Sequence, residues 1–174
     1  MRIVAVVVSD RASSGAYEDK SGPAIARWLE KMISSPYDFE RKIIPDGIET
    51  VRDTLLAICD QEQADLILTT GGTGPSPRDL TPEAMALVVE KDLPGFGELM
   101  RKVSLEEVPT AILSRQSAGI RGKTLIINLP GKPAAIGTCL KAVFPAVPYC
   151  LDLIGAGRIE TNADILASFR PKTG

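Results

Sequence analysis

Short apolar runs alternate with segments of helical period between Arg2 and Thr70, and this alternation constrains the fold more than any other feature of the sequence. The run Arg2–Val8 is continuous and rich in Val, as in strands that are buried on both faces of a parallel sheet. Leu66–Leu68 predicts a second strand of this kind. Tyr37–Ile44 alternates apolar and polar residues and therefore predicts a less buried strand nearer the sheet edge.

Two amphipathic helices are predicted in the intervals between these strands. Pro23 can occupy the first turn of the first helix, and apolar residues recur with helical spacing in both intervals. The two apolar faces consist of Ile25, Trp28, Leu29, Met32 and Ile33, and of Ile48, Val51, Leu55, Ile58 and Cys59. The β-α-β-α-β order predicts an α/β fold, a three-layer α/β/α sandwich with a mostly parallel sheet and right-handed crossovers.

The second half of the chain predicts a further helix and a hairpin. Thr81 can cap a helix that has Pro82 at its first position. The inner face of this helix would consist of Ala84, Leu87 and Val88. Residues 116–120 and 124–129 flank a short polar turn and predict a hairpin, which adds an antiparallel strand and makes the sheet mixed.

The remaining segments are predicted to be mainly helical. Residues 94–97 are rich in Gly and Pro and predict a break before a short helix. Further helices are predicted over Pro109–Leu113, Pro133–Val143 and Pro145–Ile154, followed by a polar tail from residue 158 to residue 174. The whole chain, 1–174, is therefore expected to form a single domain.

Composition excludes several classes of function. A net charge of −2 argues against a broad basic surface for nucleic acid, and the run Ile3–Val8 is too short for a signal sequence or a membrane span. We therefore expect a cytoplasmic protein. Cys59, Cys139 and Cys150 form no CxxC pair and are expected to be reduced and mostly buried. The absence of His excludes Ser-His-Asp and Cys-His catalysis and the usual zinc sites.

Four polar or glycine-rich segments follow predicted strands directly. Loops at the carboxyl ends of parallel strands converge on one crevice, where ligands bind. The four segments are Ser9–Asp10, Pro45–Asp46, Gly71–Asp79 and Asn128–Lys132. The sequence thus predicts a ligand site at this edge of the sheet.

The glycine-rich segment has the composition of an anion-binding loop. Small residues allow backbone N–H groups to approach phosphate oxygens, and a helix beginning near Pro82 adds a positive dipole end. Arg78 could pair with a phosphate, and Asp79 could hold a hydrated Mg²⁺. The loop is not a Walker sequence. The alternative is a tight strand-to-helix connection in which the glycines serve only to turn the chain.

The other loops allow both structural and functional interpretations. Pro-Asp-Gly at Asp46 is an ordinary turn, but Asp46 paired with Asp79 would supply the carboxylate oxygens that Mg²⁺ prefers. Lys132 could offer a point charge to phosphate or lie in a structural turn. Ser13 and Lys20 could contact a ligand or be solvated loop residues.

Several segments, in this order along the chain, resemble the molybdopterin adenylyltransferase family. The segments that carry the resemblance are Ser9–Gly15, Thr69–Ala84, Pro94–Glu98, Leu113–Arg115, Asn128–Gly131 and Val147–Cys150. The resemblance implies AMP transfer from Mg-ATP to the terminal phosphate of molybdopterin, with ATP and molybdopterin as substrates. It also implies a homotrimer and hand-over of the product to a molybdenum insertase.

The resemblance also implies roles for individual residues. Asp46 and Asp79 would be the catalytic carboxylates and the Mg²⁺ ligands. Contacts to nucleotide or pterin would come from Ser9, Asp10, Ser13, Gly71, Gly72, Thr73, Gly74, Arg78, Ser114, Asn128 and Gly131. Two alternatives remain: a non-catalytic molybdopterin-binding or scaffold module of the same fold, and a nucleotide hydrolase that needs no pterin.

Overall fold

A six-stranded mixed sheet forms the centre of the computed structural model, which describes residues 1–171. The strands lie in the order β2-β1-β3-β6-β5-β4. Their bounds are β1 Arg2–Val8, β2 Asp38–Ile44, β3 Leu66–Thr70, β4 Lys91–Asp92, β5 Ala118–Arg121 and β6 Thr124–Leu129. Strands β2, β1, β3 and β6 are parallel, while β5 pairs antiparallel with both β6 and β4.

Seven α-helices and two 3-10 segments are present in the described part of the chain. The helices are α1 Asp10–Ser13, α2 Ser21–Met32, α3 Ile48–Asp60, α4 Thr81–Ala86, α5 Pro94–Leu105, α6 Pro133–Val143 and α7 Val147–Ile154. The 3-10 segments are Pro109–Leu113 and Phe144–Ala146. The predicted β-α-β-α-β order at the start of the chain is confirmed.

Helices cover both faces of the sheet, which confirms the three-layer prediction. Alternate residues of the buried strand β1 contribute to different cores: Ile3 packs with residues of α2 and α6, whereas Val4 packs with residues of α3 and α4. Because period-2 side chains point to opposite faces, a strand buried on both sides has to be apolar throughout. Strand β2 is more exposed and lies at one edge, as its alternating sequence predicts.

Residues 133–154 are long and apolar enough to cross a membrane by length and composition alone. A 3-10 segment interrupts the helix between α6 and α7, however, and Ile136, Leu140 and Phe144 in this stretch are fully buried against the sheet. Trp28 of α2 meets the Phe144 ring edge-on, with the ring centroids 4.9 Å apart. Burial within the layered core therefore accounts for the apolar character of this stretch.

Two local predictions, for the loop after β1 and for residues 94–97, were wrong. A short helix, α1, lies in the predicted first loop, because the Ser9 hydroxyl accepts a hydrogen bond from the Ala12 amide and caps it. Residues 94–97 form the first turn of helix α5 and not a break before it. Pro94 is tolerated there because the N–H that it lacks would have no partner within the helix. The short helix predicted over Pro109–Leu113 is present, with 3-10 geometry. The tail that was predicted to be polar contacts the core through two apolar residues, Ile159 and Leu166.

Helix α4 also differs from its prediction. Thr81 is its first residue rather than its cap, and the Thr81 hydroxyl donates to the Gly71 carbonyl oxygen at 2.9 Å. Leu87 lies beyond the helix end and is 59% exposed, whereas Ala84 and Val88 are buried as predicted. Strand β4 was not predicted, because a two-residue edge strand of Lys and Asp carries no apolar pattern.

The cysteines are reduced, as expected. Cys59 and Cys139 are buried and Cys150 is half-buried, and all three are free thiols. Burial raises the pKa of the Cys59 thiol to about 11, and it also raises the pKa of Cys150. Neither group is therefore a thiolate at neutral pH.

Candidate functional site

The four parallel strands end at one edge of the sheet, where the loops that follow them surround two adjoining clefts. Val8 at the end of β1 pairs with Ile44 at the end of β2, and Thr70 at the end of β3 pairs with Leu129 at the end of β6. Val8 and Ser9 line both clefts and separate them. This arrangement confirms that the loops after these strands converge.

The first cleft, the carboxylate cleft, has a volume of about 180 Å³. It is lined by Val8, Ser9, Asp10, Arg11, Asp46, Gly72, Ser76, Arg78 and Asp79. Three carboxylates from loops after three different strands therefore face one space, together with two guanidinium groups. The Arg78 side chain is exposed, and the Arg11 guanidinium lies over the Tyr17 ring, 4.8 Å from its centroid.

Asp10 and Asp46 hold each other in place by reciprocal hydrogen bonds. The Asp46 amide donates to Oδ1 of Asp10 at 2.9 Å, and the Asp10 amide donates to Oδ2 of Asp46 at 3.1 Å. The Ser9 amide also donates to the Ile44 carbonyl oxygen at 2.9 Å, which continues the pairing of the two strands into their loops. The position of the Asp46 carboxylate is thus fixed by a neighbouring strand's loop.

Asp79 is held by a turn within its own loop. Its amide donates to the Ser76 carbonyl oxygen at 2.9 Å, and the Ser76 amide donates to Oδ2 of Asp79 at 2.9 Å. Within residues 1–171, the remaining carboxylate oxygens of Asp46 and Asp79 accept no hydrogen bond from the protein. These two oxygens are available to a ligand.

The second cleft, of about 140 Å³, lies on the other side of Ser9. It is lined by Val7, Val8, Ser9, Ala12, Tyr17, Asp19, Lys20, Ser21, Thr70, Gly71 and Gly131. The Ser21 hydroxyl donates to the Gly131 carbonyl oxygen at 2.9 Å, and the Thr70 hydroxyl donates to the Pro130 carbonyl oxygen at 2.7 Å. These bonds tie the loop after β6 to the starts of α2 and of the glycine loop.

Gly71 and Gly72 have conformations that other residues rarely adopt. Their φ angles are +102° and +64°. A Cβ on Gly71 would lie 2.2 Å from the Val8 carbonyl oxygen, and a Cβ on Gly72 would lie 2.4 Å from Oγ1 of Thr81. The glycines therefore turn the chain, as the structural alternative requires, and each also lines one of the clefts.

Several other predicted site residues do not line either cleft in the described structure. Asn128 is fully buried, its side chain accepting from the Thr69 hydroxyl at 2.8 Å and donating to the Ser117 hydroxyl at 2.9 Å. The Ser114 hydroxyl donates to the Gln116 side chain at 2.8 Å. The remaining residues of this group are Ser13, which is exposed, Thr73, which is buried, and Gly74.

Arg115 belongs to the surroundings of the site, although the sequence reasoning gave it no role. Its guanidinium donates to the Gly74 carbonyl oxygen at 3.0 Å and to the Asp79 carbonyl oxygen, and it pairs with the Glu83 carboxylate. The hydrogen bonds that Glu83 accepts from Arg115 lower the pKa of Glu83, and they raise the pKa of Arg115. The only signal was its place in the Leu113–Arg115 segment that resembles the family.

The donor set of the carboxylate cleft fits Mg²⁺ bound together with a phosphate. Within the described residues, no group of three His, Cys, Asp or Glu side chains is close enough to form a preformed metal cage. Mg²⁺ usually takes only one or two protein carboxylates and completes its coordination with water and substrate phosphates. Asp46 and Asp79 each offer one free oxygen and meet that requirement.

The fold and the clefts define a class of protein: an α/β protein with a polar cleft, lined by carboxylates and guanidinium groups, at the carboxyl ends of its parallel strands. Residues 4–149 match a family described as "Probable molybdopterin binding domain". This match covers most of the chain.

The names of similar proteins are consistent with this family match. The chain is 57% identical to the molybdopterin adenylyltransferase of Helicobacter pylori strain J99, over 94% of this chain and 93% of the relative. It is 45% identical to the molybdopterin adenylyltransferase of Escherichia coli K12, over 99% and 95%. The crystal structure of the molybdopterin biosynthesis enzyme MoaB of Thermus thermophilus superposes with a TM-score of 0.83 at 39% identity, covering 91% of this chain and 99% of that one. The chain belongs to the molybdopterin-binding domain family.

Proposed function

We propose that this protein is a molybdopterin adenylyltransferase. It transfers AMP from Mg-ATP to the terminal phosphate of molybdopterin and yields adenylyl-molybdopterin and pyrophosphate. The relatives of that name, at 45% and 57% identity over nearly the whole chain, support the proposal. The structural observation that carries it is that Asp46, Asp79 and Gly72 face the same cleft.

This reaction depends on positioning and charge neutralisation rather than on a protein nucleophile. A chain without His can therefore perform it. Arg78 is exposed and lines the cleft, so we propose that its guanidinium pairs with phosphate oxygens. The backbone of Gly71 and Gly72 can approach a phosphate closely because no side chain intervenes.

The reciprocal bonds to Asp10 and Ser76 orient the carboxylates of Asp46 and Asp79 before substrate binds. Mg²⁺ held by these two carboxylates would neutralise the triphosphate and the departing pyrophosphate. The second cleft, which Lys20 and Ser21 line, adjoins the first, and we propose that it binds the second substrate. We assign Gly71 and Gly131, which line this cleft, to contacts with the second substrate.

The proposal is tested by pyrophosphate release from Mg-ATP with purified protein, under anaerobic conditions, with and without molybdopterin. We expect release that requires the pterin. Asp46→Asn and Asp79→Asn should each lower turnover at least about 100-fold if these carboxylates act in the transition state. Asp53→Asn, an exposed carboxylate on α3 that pairs only with its neighbour Arg52 in the described structure, is the matched control and should leave turnover unchanged.

The same assay separates the alternatives. Pterin binding without pyrophosphate release would favour a binding or scaffold module of the same fold. Release that does not require pterin would favour a nucleotide hydrolase. Wild-type turnover in both Asp46→Asn and Asp79→Asn would exclude the assigned carboxylate chemistry even if release required the pterin.

We also propose a homotrimer. Leu105, Val108, Ile112 and Leu113, at the end of α5 and in the segment after it, are each at least 39% exposed. Neighbouring apolar side chains of this kind commonly mark a subunit contact. Light scattering on the purified protein should give three times the mass of the chain, 18.6 kDa; a monomer mass would contradict the proposal.

The site of action and the next protein follow from the proposed chemistry. We place the reaction in the cytoplasm, because it draws on ATP as the adenylyl donor. The adenylylated pterin is an activated product, so we propose hand-over to a molybdenum insertase that consumes it. Pull-down of an insertase that depends on loading with adenylyl-molybdopterin would support the hand-over, whereas equal capture by the unloaded protein would count against it.

A further inference from the structure

We propose that Arg115 is a positioning residue for the proposed reaction: it fixes the loop from Gly74 to Asp79 so that the Asp79 carboxylate keeps its place in the carboxylate cleft. This inference rests on the proposed function and names a further part of the same site. Arg115 does not line either cleft in the described structure, so it acts through Asp79 rather than on substrate.

The loop needs an external restraint because its middle has little packing. The four residues from Pro75 to Arg78 are all exposed, so no buried apolar contacts hold them. The carbonyl oxygens of Gly74 and Asp79 lie at the two ends of this exposed stretch, and both accept hydrogen bonds from the Arg115 guanidinium. The planar guanidinium of Arg115 therefore joins the two ends of this exposed stretch.

Arg115 is itself carried by a rigid segment. Its amide donates to the Thr73 carbonyl oxygen at 2.8 Å, so its backbone is joined to the glycine loop. The next residue, Gln116, is only 3% exposed, and its side-chain amide donates to Sγ of Cys139 at 3.3 Å inside the core. The Gln116 carbonyl oxygen accepts from Arg101 at 2.7 Å. The backbone that carries the guanidinium is thus anchored to the glycine loop and to the core.

Glu83 completes the clamp from the other side. It lies in the first turn of α4 and receives two hydrogen bonds from the Arg115 guanidinium. The hydrogen bonds lower the pKa of Glu83, so it stays ionised at neutral pH. The guanidinium therefore bridges the glycine loop and the helix that follows it.

The fork geometry of Arg explains why this role suits Arg and not Lys. A guanidinium presents five N–H donors in a plane and can serve two carbonyl oxygens and a carboxylate at once. A Lys ammonium is a compact group on a flexible stem and cannot reach all three acceptors in one position. Arg115→Lys thus preserves the positive charge and removes the planar arrangement of N–H donors.

The test is the turnover of Arg115→Lys, measured with wild-type protein as pterin-dependent pyrophosphate release. Misplacement of a catalytic group by about 1 Å costs about 100-fold in rate, so we expect kcat to fall by about 10- to 100-fold with less than about a threefold change in KM for ATP. In the Asp79→Asn background, the same change should lower kcat by less than about threefold, because the group that Arg115 positions is already gone.

Arg121→Lys is the matched control. Arg121 makes the same kind of clamp, with bonds to both oxygens of Asp60 at 2.9 and 2.8 Å and to the Val88 carbonyl oxygen at 3.1 Å, but it lies at the opposite end of β5. Its replacement should lower stability to a similar degree without changing kcat. A loss of kcat in Arg121→Lys equal to that in Arg115→Lys would overturn the positioning role.

Hydrogen exchange gives a readout that does not depend on activity. The amides of Ser76 and Asp79, which donate hydrogen bonds within this loop, should exchange faster in Arg115→Lys than in wild-type protein, and not in Arg121→Lys. Unchanged exchange in Arg115→Lys, a kcat within twofold of wild type, or a full additional loss in the Asp79→Asn background would each overturn the inference. If wild-type protein released no pterin-dependent pyrophosphate, the proposed function would fail instead, and the exchange comparison would still decide whether Arg115 holds the loop.

Discussion

Replacement of Gly71 by Ala tests the geometry at the junction of β1 and the glycine loop. Two costs add at this position. The φ angle of +102° is unfavourable for any residue with a Cβ, by about 1–2 kcal/mol. The new Cβ would also lie 2.2 Å from the Val8 carbonyl oxygen, a backbone atom of a strand that the core holds on both faces. Relief of such a contact by backbone shifts costs about 1–3 kcal/mol.

We therefore expect Gly71→Ala to lower the free energy of unfolding by about 3 kcal/mol. Two glycines of the same chain separate the two costs. Gly15 has a φ of +76°, and a Cβ added there would meet no atom within 4 Å, so Gly15→Ala should cost only about 1–2 kcal/mol. Gly95 lies in α5 with neither problem, so Gly95→Ala should be neutral or stabilise by up to about 1 kcal/mol.

The assay is urea unfolding followed by circular dichroism, with the three variants and wild-type protein in parallel. The expected order of stability is Gly95→Ala, then Gly15→Ala, then Gly71→Ala. A loss in Gly71→Ala no larger than in Gly15→Ala would show that the Val8 carbonyl does not limit this position. The reasoning about close approach of the two strand ends would then be refuted.

Three other measurements follow from the structure. Burial raises the pKa of Cys59 to about 11, so at pH 8 a disulfide reagent should label it far more slowly than an unfolded-state thiol, whose pKa is about 8.5; equal rates would contradict its burial. The folded-state pKa of Glu83 is lowered by Arg115, so its contribution is fully present above the unfolded-state pKa of about 4.3 and lost as pH falls through the lower folded value. The stability gap between wild type and Glu83→Gln, at most about 1 kcal/mol for a pair this exposed, should therefore close as pH falls below about 4.3 and through the lower folded-state pKa, and a gap independent of pH would contradict the ion pair. Phe144→Leu should cost about 1–3 kcal/mol in urea unfolding through lost contact with Trp28, and no loss would mean that neighbouring side chains fill the space left by the ring.

The strand pattern at the start of the chain was predictable because both buried strands contain a continuous apolar run, Ile3–Val8 in β1 and Leu66–Leu68 in β3. Arg2–Val8 was placed to the residue, and β3 extends the predicted run by two threonines. Burial of Thr69 and Thr70 inside a parallel sheet depends on hydrogen bonds that their hydroxyls make to Asn128 and Pro130, both about 60 residues later in the chain. Such partners cannot be read from local periodicity.

The site was predictable where backbone topology decides it and not where side-chain contacts do. Asp46 and Asp79 follow strands that lie on either side of β1, so their convergence follows from the strand order. Asn128 also lies near the end of a strand, but its position in the register directs its side chain into the core. Its side-chain amide forms hydrogen bonds there with the hydroxyls of Thr69 and Ser117. The contact of Arg115 with the glycine loop joins residues more than thirty positions apart, and no spacing rule predicts it.

The reciprocal bonds between Asp10 and Asp46 join residues 36 positions apart, and the carboxylate cleft combines them with Asp79 from a third loop. Strand pairing has to offset the entropy cost of closing these long loops before such non-local contacts can form. They are therefore slow to appear during folding. No single fragment of the chain contains the cleft. Recovery of ligand binding after dilution from denaturant should therefore lag behind recovery of helix signal, and it would mark the moment at which the parallel sheet is complete.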